Sequence, residues 1–219
     1  MSKPNSLEKA YLYGILDLSY TDKANALATA RAMLGGGIDI LQLRAKKHPP
    51  DSLGPLARKL AMLCNQANVP FIINDYPALA LESGASGVHV GQDDLSVREV
   101  REQIGSDKIV GLSTHSLQQA HDAQAQKPDY IGFGPLFATP TKPDYRPIGI
   151  KDIATVHKEL SLPIFCIGGI KLENLEDVIQ AGTKRAVIVS GILQADDITA
   201  YCRKCVDLLK NHGAITDVI

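Results

Sequence analysis

Short β-branched runs alternate with amphipathic segments along the whole chain, and a glycine often stands just before a run. The runs read as strands: Tyr11–Asp17, Ile38–Arg44, Phe71–Asn74, Gly87–Val90, Ile109–Ser113, Tyr130–Gly132, Pro163–Ile167 and Arg185–Val189. The segments between them read as helices: Lys23–Leu34, Ser52–Asn68, Pro77–Ser83, Ser96–Ile104, Ser116–Gln126, Lys151–Leu160, Leu172–Ala181 and Ile198–Lys210. Ser52, Ser96 and Ser116 stand where N-caps are expected, and the glycines at 35–37, 84 and 182 where C-caps are expected. Strands that alternate with helices form a parallel sheet covered by those helices. Eight such units, with no G-x-G-x-x-G after the first strand, favour a closed (β/α)8 TIM barrel over a doubly wound sheet. An open flavodoxin-like sheet is second, because it leaves about three units without a place. A typical barrel has about 250 residues, so 219 residues make a lean one. No linker, low-complexity tract or charge block divides the chain, so residues 1–219 are expected to form a single domain.

Composition narrows the function without naming it. The chain is 45% hydrophobic and 21% charged with a net charge of -1, which predicts a globular protein with a sizeable core. A nucleic-acid binder usually carries a basic excess, which this chain lacks. No apolar run approaches the length of a membrane span, and the N-terminal segment is unlike a signal peptide. The expectation is a cytoplasmic protein that acts on small molecules, with no nucleic-acid or membrane partner. Of the four cysteines, only Cys202 and Cys205 make a tempting pair. They share an apolar helical stripe with Ile198, Leu208 and Leu209, and a zinc site would need two more ligands, so they read as packing residues.

The active site of a TIM barrel lies at the C-terminal ends of its strands. The second strand ends Gln42-Leu43-Arg44-Ala45-Lys46, so the alternation of side chains puts Gln42, Arg44 and Lys46 on one face. A guanidinium fork and a mobile ammonium together suit an anion. The third strand ends Asn74-Asp75 and the fourth runs into Gln92-Asp93-Asp94. Neighbouring strands lie about 4.8 Å apart, so Asp75 and one of the 93/94 pair could share a hard cation such as Mg2+. Taken singly, each Asp also suits a turn or a helix cap. Ser113 and His115 share a face at the end of the fifth strand. Residues two apart on one strand are poorly placed for a nucleophile and its base, so ligand binding suits them better; His115 equally suits a packed, helix-capping role. The long loop after the sixth strand carries Thr139-Pro140-Thr141-Lys142, which suits a phosphate-contacting lid. The seventh strand ends Gly168-Gly169 and the eighth Val189-Ser190-Gly191, and the corresponding barrel loops commonly hold a phosphate on backbone N–H groups. Two anion sites emerge, one suited to a diphosphate with Mg2+ and one to a monophosphate.

These segments together resemble the thiamine-phosphate synthase family from about Tyr11 to Leu209. The resemblance is carried by GGGIDILQLRAK, FIINDYPALAL, GVHVGQDDL, GLSTHS, GPLFATPTK, FCIGGI and VIVSGI. It implies a transferase that joins 4-amino-2-methyl-5-(diphosphooxymethyl)pyrimidine to a thiazole phosphate, giving thiamine phosphate and pyrophosphate. It further implies that Gln42, Arg44, Lys46, Asn74, Ser113 and Lys142 contact the pyrimidine diphosphate, and that Asp75 and Asp94 bind Mg2+. Thr139, Thr141, Gly169, Val189 and Ser190 would hold the thiazole phosphate. Arg44, Lys46, Lys142 and Ser113 would carry the catalysis, with a pyrimidine methylene cation captured by the thiazole nitrogen. The chain departs from the family at three places: Tyr76 stands where a second Asp is frequent, Ala138 where Pro is usual, and Leu16-Asp17 where Thr-Asp is usual.

Two other functions share the barrel. A thiazole tautomerase-like isomerase matches SxHS and GGI but typically lacks the cationic strand end and both metal carboxylates. A non-catalytic phosphate-binding barrel has little need of paired Asp75 and Asp94.

Overall fold

The computed structural model describes residues 6–139 and 146–216. Eight parallel strands close into a barrel in chain order: β1 (Leu12–Asp17), β2 (Ile40–Arg44), β3 (Phe71–Asn74), β4 (Gly87–Val90), β5 (Ile109–Thr114), β6 (Tyr130–Phe133), β7 (Ile164–Ile167) and β8 (Ala186–Ile188). Helix α1 (Ser6–Lys9) precedes the first strand. The others are α2 (Ala26–Gly35), α3 (Gly54–Gln66), α4 (Pro77–Ser83), α5 (Val97–Ile104), α6 (Leu117–Gln126), α7 (Ile153–Glu159), α8 (Leu175–Gln180), α9 (Ser190–Leu193) and α10 (Ile198–Thr216). The closed barrel bears out the architecture expected from the alternation, and it leaves no open sheet edge.

Alternation along the strands sorts the core into two parts. Outward-facing residues such as Leu12, Leu41, Ile73, Val88 and Val110 pack against the helices. Inward-facing Tyr13, Ile40, Ile72, Ile109, Tyr130, Phe165 and Val187 fill the barrel lumen. The rings of Tyr13, Tyr130 and Phe165 meet edge to face, with centroids 5.3–5.9 Å apart, and form the floor beneath the barrel mouth. Helix α1, which the pattern does not announce, plugs the opposite end: Leu7 and Ala10 join the lumen cluster, and Arg185 Nε donates to the Leu7 carbonyl at 3.2 Å.

Two of the three expected serine caps are present. Ser96 forms a capping box with Glu99, and Ser116 Oγ accepts from the Gln119 amide at 3.1 Å. Ser52 instead lies in a 3-10 turn, where its hydroxyl donates to Pro49 O at 2.8 Å, and α3 starts two residues later. The segment expected as one helix from Leu172 divides into a 3-10 turn, Leu172–Asn174, and α8. Asn174 explains the break, since its side chain accepts from the Lys171 amide at 2.8 Å and donates to Gly169 O at 3.0 Å, in competition with a helical backbone. Gly84 and Gly36 cap α4 and α2, whereas Ala181 caps α8 with Gly182 one residue beyond. All four cysteines are free and buried, and burial pushes the Cys202 and Cys205 thiols up to about 12, in keeping with packing residues. Among the described residues, no helix is long and apolar enough to cross a membrane.

Candidate active site

The C-terminal ends of the strands carry the polar residues, and register decides which of them meet. Asp17 stands opposite Arg44 across β1 and β2, and Arg44 Nη1 donates to Asp17 Oδ2 at 2.5 Å. Asp17 is fully buried and also accepts from the Ser19 amide at 2.8 Å. The guanidinium is thereby held at the mouth by a carboxylate that water does not reach. The sequence places Asp17 at the end of the alternating set Tyr13, Ile15, Asp17, and the register of β1 on β2 supplies its partner.

Lys46, two residues beyond Arg44, reaches across to Asp75 Oδ2 at 2.5 Å. Asp75 has φ 66°, in the left-handed region that Asp tolerates better than most residues. The Tyr76 amide donates to Asn74 O across it at 3.0 Å, and its own amide donates to His89 O at 2.9 Å. The tight bend turns the Asp75 carboxyl toward Asp94, whose Oδ2 accepts from the Gly91 amide at 2.7 Å. Burial raises the Asp75 carboxyl above its ordinary range; Lys46 opposes the rise and Asp94 adds to it. Burial alone would lower the Lys46 ammonium, but its hydrogen bond to Asp75 and the carboxylate charges hold it above its usual value. Two facing carboxylates are hard oxygen ligands of the kind that suit a divalent cation, and the Lys46 ammonium pairs with one of them. Among the described residues no group of three His, Cys, Asp or Glu could hold a metal. A divalent cation held between Asp75 and Asp94 would need substrate oxygens and water as further ligands.

Gln42, Arg44, Asn74, Ser113, Thr139, Gly169, Val189 and Ser190 all line one cavity in the barrel mouth. Lys46, Asp75 and Asp94 form the adjoining rim. Thr141 and Lys142 lie outside the described residues. The cavity is also lined by Tyr13, His89 and Tyr130; the two tyrosines sit deeper on β1 and β6, and His89 stands level with Asn74. Ser113 Oγ is 2.8 Å from His89 Nε2, not paired with His115. His115 Nδ1 donates to Gly134 O at 2.6 Å, and its amide donates to Gln119 Oε1 at 2.8 Å, which ties it to the start of α6 and the loop after β6.

Across the mouth, Gly168 and Gly169 have φ 98° and 67°, a region costly for any residue with a Cβ. The space beside them is occupied by protein. A Cβ on Gly168 would overlap Pro135 Cα, and one on Gly169 would lie 2.7 Å from Phe137 Cβ. The glycines thus let the loop after β6 lie along β7, where Leu136 and Phe137 amides donate to Ile167 and Gly168 carbonyls at 2.9 Å. Thr139 follows directly on this packed stretch. Ser190 is buried and opens the short helix α9 beside it.

Comparisons with known proteins agree on what this arrangement is similar to. The family described as thiamine monophosphate synthase matches residues 12–192. A thiamine-phosphate synthase of Halalkalibacterium halodurans is 39% identical, with 92% of this chain and 96% of that protein covered. One of Lawsonia intracellularis is 42% identical over 89% of this chain and 90% of the other. The thiamine phosphate pyrophosphorylase structure from Pyrococcus furiosus superposes with a TM-score of 0.87 at 26% identity, covering 95% of this chain and 99% of that one.

Proposed function

The chain belongs to the thiamine monophosphate synthase family, and on that premise we propose how its barrel mouth divides the labour of a thiamine-phosphate synthase. The reaction joins a pyrimidine methylene diphosphate to a thiazole phosphate and releases pyrophosphate. The observation that carries the assignment is the position of two unlike polar clusters around one barrel mouth. The ends of β2, β3 and β4 gather Arg44, Lys46, Asp75 and Asp94. The ends of β7 and β8, on the opposite side of the ring, present Gly169 and Ser190. The first suits the diphosphate, the second the monophosphate.

Asp75 and Asp94 are the residues that would hold Mg2+, which when bound supplies charge neutralisation for the diphosphate oxygens. Arg44, aimed by Asp17, offers its remaining N–H groups to the same oxygens. Lys46, paired with Asp75, would add a second cation beside the diphosphate, and Lys142 is assigned to the departing diphosphate as well. As the methylene C–O bond breaks, its electron pair leaves with the diphosphate, and these cations stabilise the charge that develops there. Gln42, Asn74 and Ser113 hold the pyrimidine diphosphate, whose ring delocalises the resulting methylene cation. Thr139, Thr141, Gly169, Val189 and Ser190 hold the thiazole phosphate so that the thiazole nitrogen's lone pair forms the new C–N bond. No proton moves in this step, so no enzyme nucleophile or strong base is needed. A proton-moving tautomerase would leave the Arg44–Lys46–Asp75–Asp94 cluster without a task. The 1–219 chain is read as a single barrel domain, and free, buried thiols agree with a reducing cytoplasm. Incubation with both substrates and Mg2+, with pyrophosphate and thiamine phosphate measured together, tests the assignment.

A further inference from the structure

Beneath the two anion sites, side chains from β1, β2, β4, β5 and β6 form a continuous hydrogen-bonded chain across the barrel. Gln42 Nε2 donates to Tyr13 Oη at 2.7 Å. Tyr13 Oη is 2.9 Å from Tyr130 Oη, which is 3.0 Å from His89 Nδ1. His89 Nε2 is 2.8 Å from Ser113 Oγ. We infer that Tyr13, Tyr130 and His89 are positioning residues, a relay that fixes the direction of every hydrogen bond between Gln42 and Ser113 and leaves the Ser113 hydroxyl hydrogen for the substrate.

The direction follows from donor and acceptor capacity. A phenol has one hydrogen. With Tyr13 accepting from Gln42, the relay we infer gives the Tyr13 hydrogen to Tyr130 and the Tyr130 hydrogen to His89 Nδ1. That nitrogen must carry no proton, so the neutral ring is protonated at Nε2 and donates to Ser113 Oγ. Ser113, having accepted, donates its own hydrogen outward. The relay stays un-ionised, because burial raises both phenols, Tyr130 further with Tyr13 beside it. The inference rests on the assignment of Ser113 to the pyrimidine diphosphate made above. There a hydroxyl already turned toward anionic oxygens needs no reorientation as charge develops.

The backbone is built for the central link. His89, Gly111 and Tyr130 stand in register on β4, β5 and β6. The His89 and Tyr130 rings stack at 5.5 Å over the middle strand. A Cβ on Gly111 would overlap Tyr130 Oη and lie 2.6 Å from His89 Nδ1. Gly111 is therefore the gap through which the two rings touch, a close approach that any side chain would block.

The test reads the His89 tautomer directly, by long-range 1H–15N correlation on ligand-free, 15N-histidine-labelled protein, with His89→Gln to assign the signal. The relay predicts an Nε2-protonated ring with an accepting Nδ1, and a loss of that pattern in Tyr130→Phe, which keeps the ring and removes the hydroxyl. An Nδ1-protonated ring in the wild type overturns the relay, and this outcome needs no variant to fold. In steady-state kinetics, Tyr130→Phe should lower kcat on the order of tenfold, one hydrogen bond's worth, with the thiazole-phosphate KM unchanged. Tyr130→Phe/Ser113→Ala should be no slower than Ser113→Ala alone, because Tyr130 acts through Ser113; losses that multiply would overturn the coupling. Wild-type kinetics in Ser113→Ala with the Nε2 tautomer intact would instead overturn the role given to Ser113, and so separates the two failures.

Discussion

Replacing Asp17 by Asn probes how the site holds its guanidinium. Asp17 is fully buried, Arg44 keeps 12% of its side-chain surface, and the two are 2.5 Å apart. The amide is isosteric but neutral, and its single oxygen must serve both Arg44 and the Ser19 amide, which now bond to the two separate carboxylate oxygens. One buried donor loses its acceptor and a cation loses its counter-charge. Removing one partner of a buried pair costs about 3–5 kcal/mol; because Arg44 opens onto the cavity, the lower figure, ~3 kcal/mol, is the one expected. For a chain of this size that is a fall in Tm of about 6–12 °C. Adding Arg44→Met to Asp17→Asn should restore stability to within about 1 kcal/mol of the wild type, since the stranded charge is gone. Both Asp17→Asn and the double variant should be poor catalysts, the first because Arg44 is no longer aimed, the second because it is absent. The assay is urea or thermal unfolding of wild type, both singles and the double, with pyrimidine-diphosphate kinetics on each. An Asp17→Asn protein as stable as the wild type, or a double variant less stable than either single, would refute the reasoning.

Other consequences follow from the opposite side of the mouth and from the shell. Ser190→Ala should raise the thiazole-phosphate KM about tenfold, the worth of one hydrogen bond to a charged group, and leave the pyrimidine-diphosphate KM near its original value. Gly168→Ala should both lower Tm and raise the thiazole-phosphate KM, because its Cβ would overlap Pro135 Cα at φ 98°; a normal Tm would show that the loop yields. His157 is pushed down to about 4 by burial, then by Arg185 and Lys184, and its Nε2 has no hydrogen-bond partner among the described residues. The unfolded chain then takes up a proton near pH 6.5 that the folded chain refuses, so stability is full above that pH and is lost as pH falls toward 4. Relative to His157→Leu, the wild type should lose about 2 kcal/mol between about pH 7 and about pH 4.5, measured by urea unfolding at each pH; parallel pH profiles would contradict it.

Periodicity made the barrel legible because each strand is a short apolar run closed by a turn residue, and eight alternating units suit a closed ring. The rim was legible for a related reason. Gln42, Arg44 and Lys46 keep period two immediately after Ile40, so polarity at alternate positions betrays a mouth rather than a solvated end. What pattern could not show depends on partners far apart in sequence. Asp17 looks like a terminating residue until register sets it against Arg44. Tyr13 and Tyr130, 117 positions apart, look like ordinary lumen fillers until their hydroxyls meet. Gly169 reads from the sequence as a backbone N–H site for a phosphate, and its missing Cβ makes room for Phe137 and Ala138. The helix break at Asn174 and the turn at Ser52 arose from side chains that bond to the local backbone, which helical periodicity does not register.

The most direct test of the division of the mouth is a single-turnover reaction of this chain with both substrates, in which pyrophosphate and thiamine phosphate are followed together with and without Mg2+. The account predicts equimolar formation of the two products with Mg2+, their loss on chelation, and their return when Mg2+ is restored. Product formation at full rate in metal-free buffer, or with Asp75→Asn and Asp94→Asn combined, would contradict the assignment of the β2–β4 ends to a Mg2+-diphosphate.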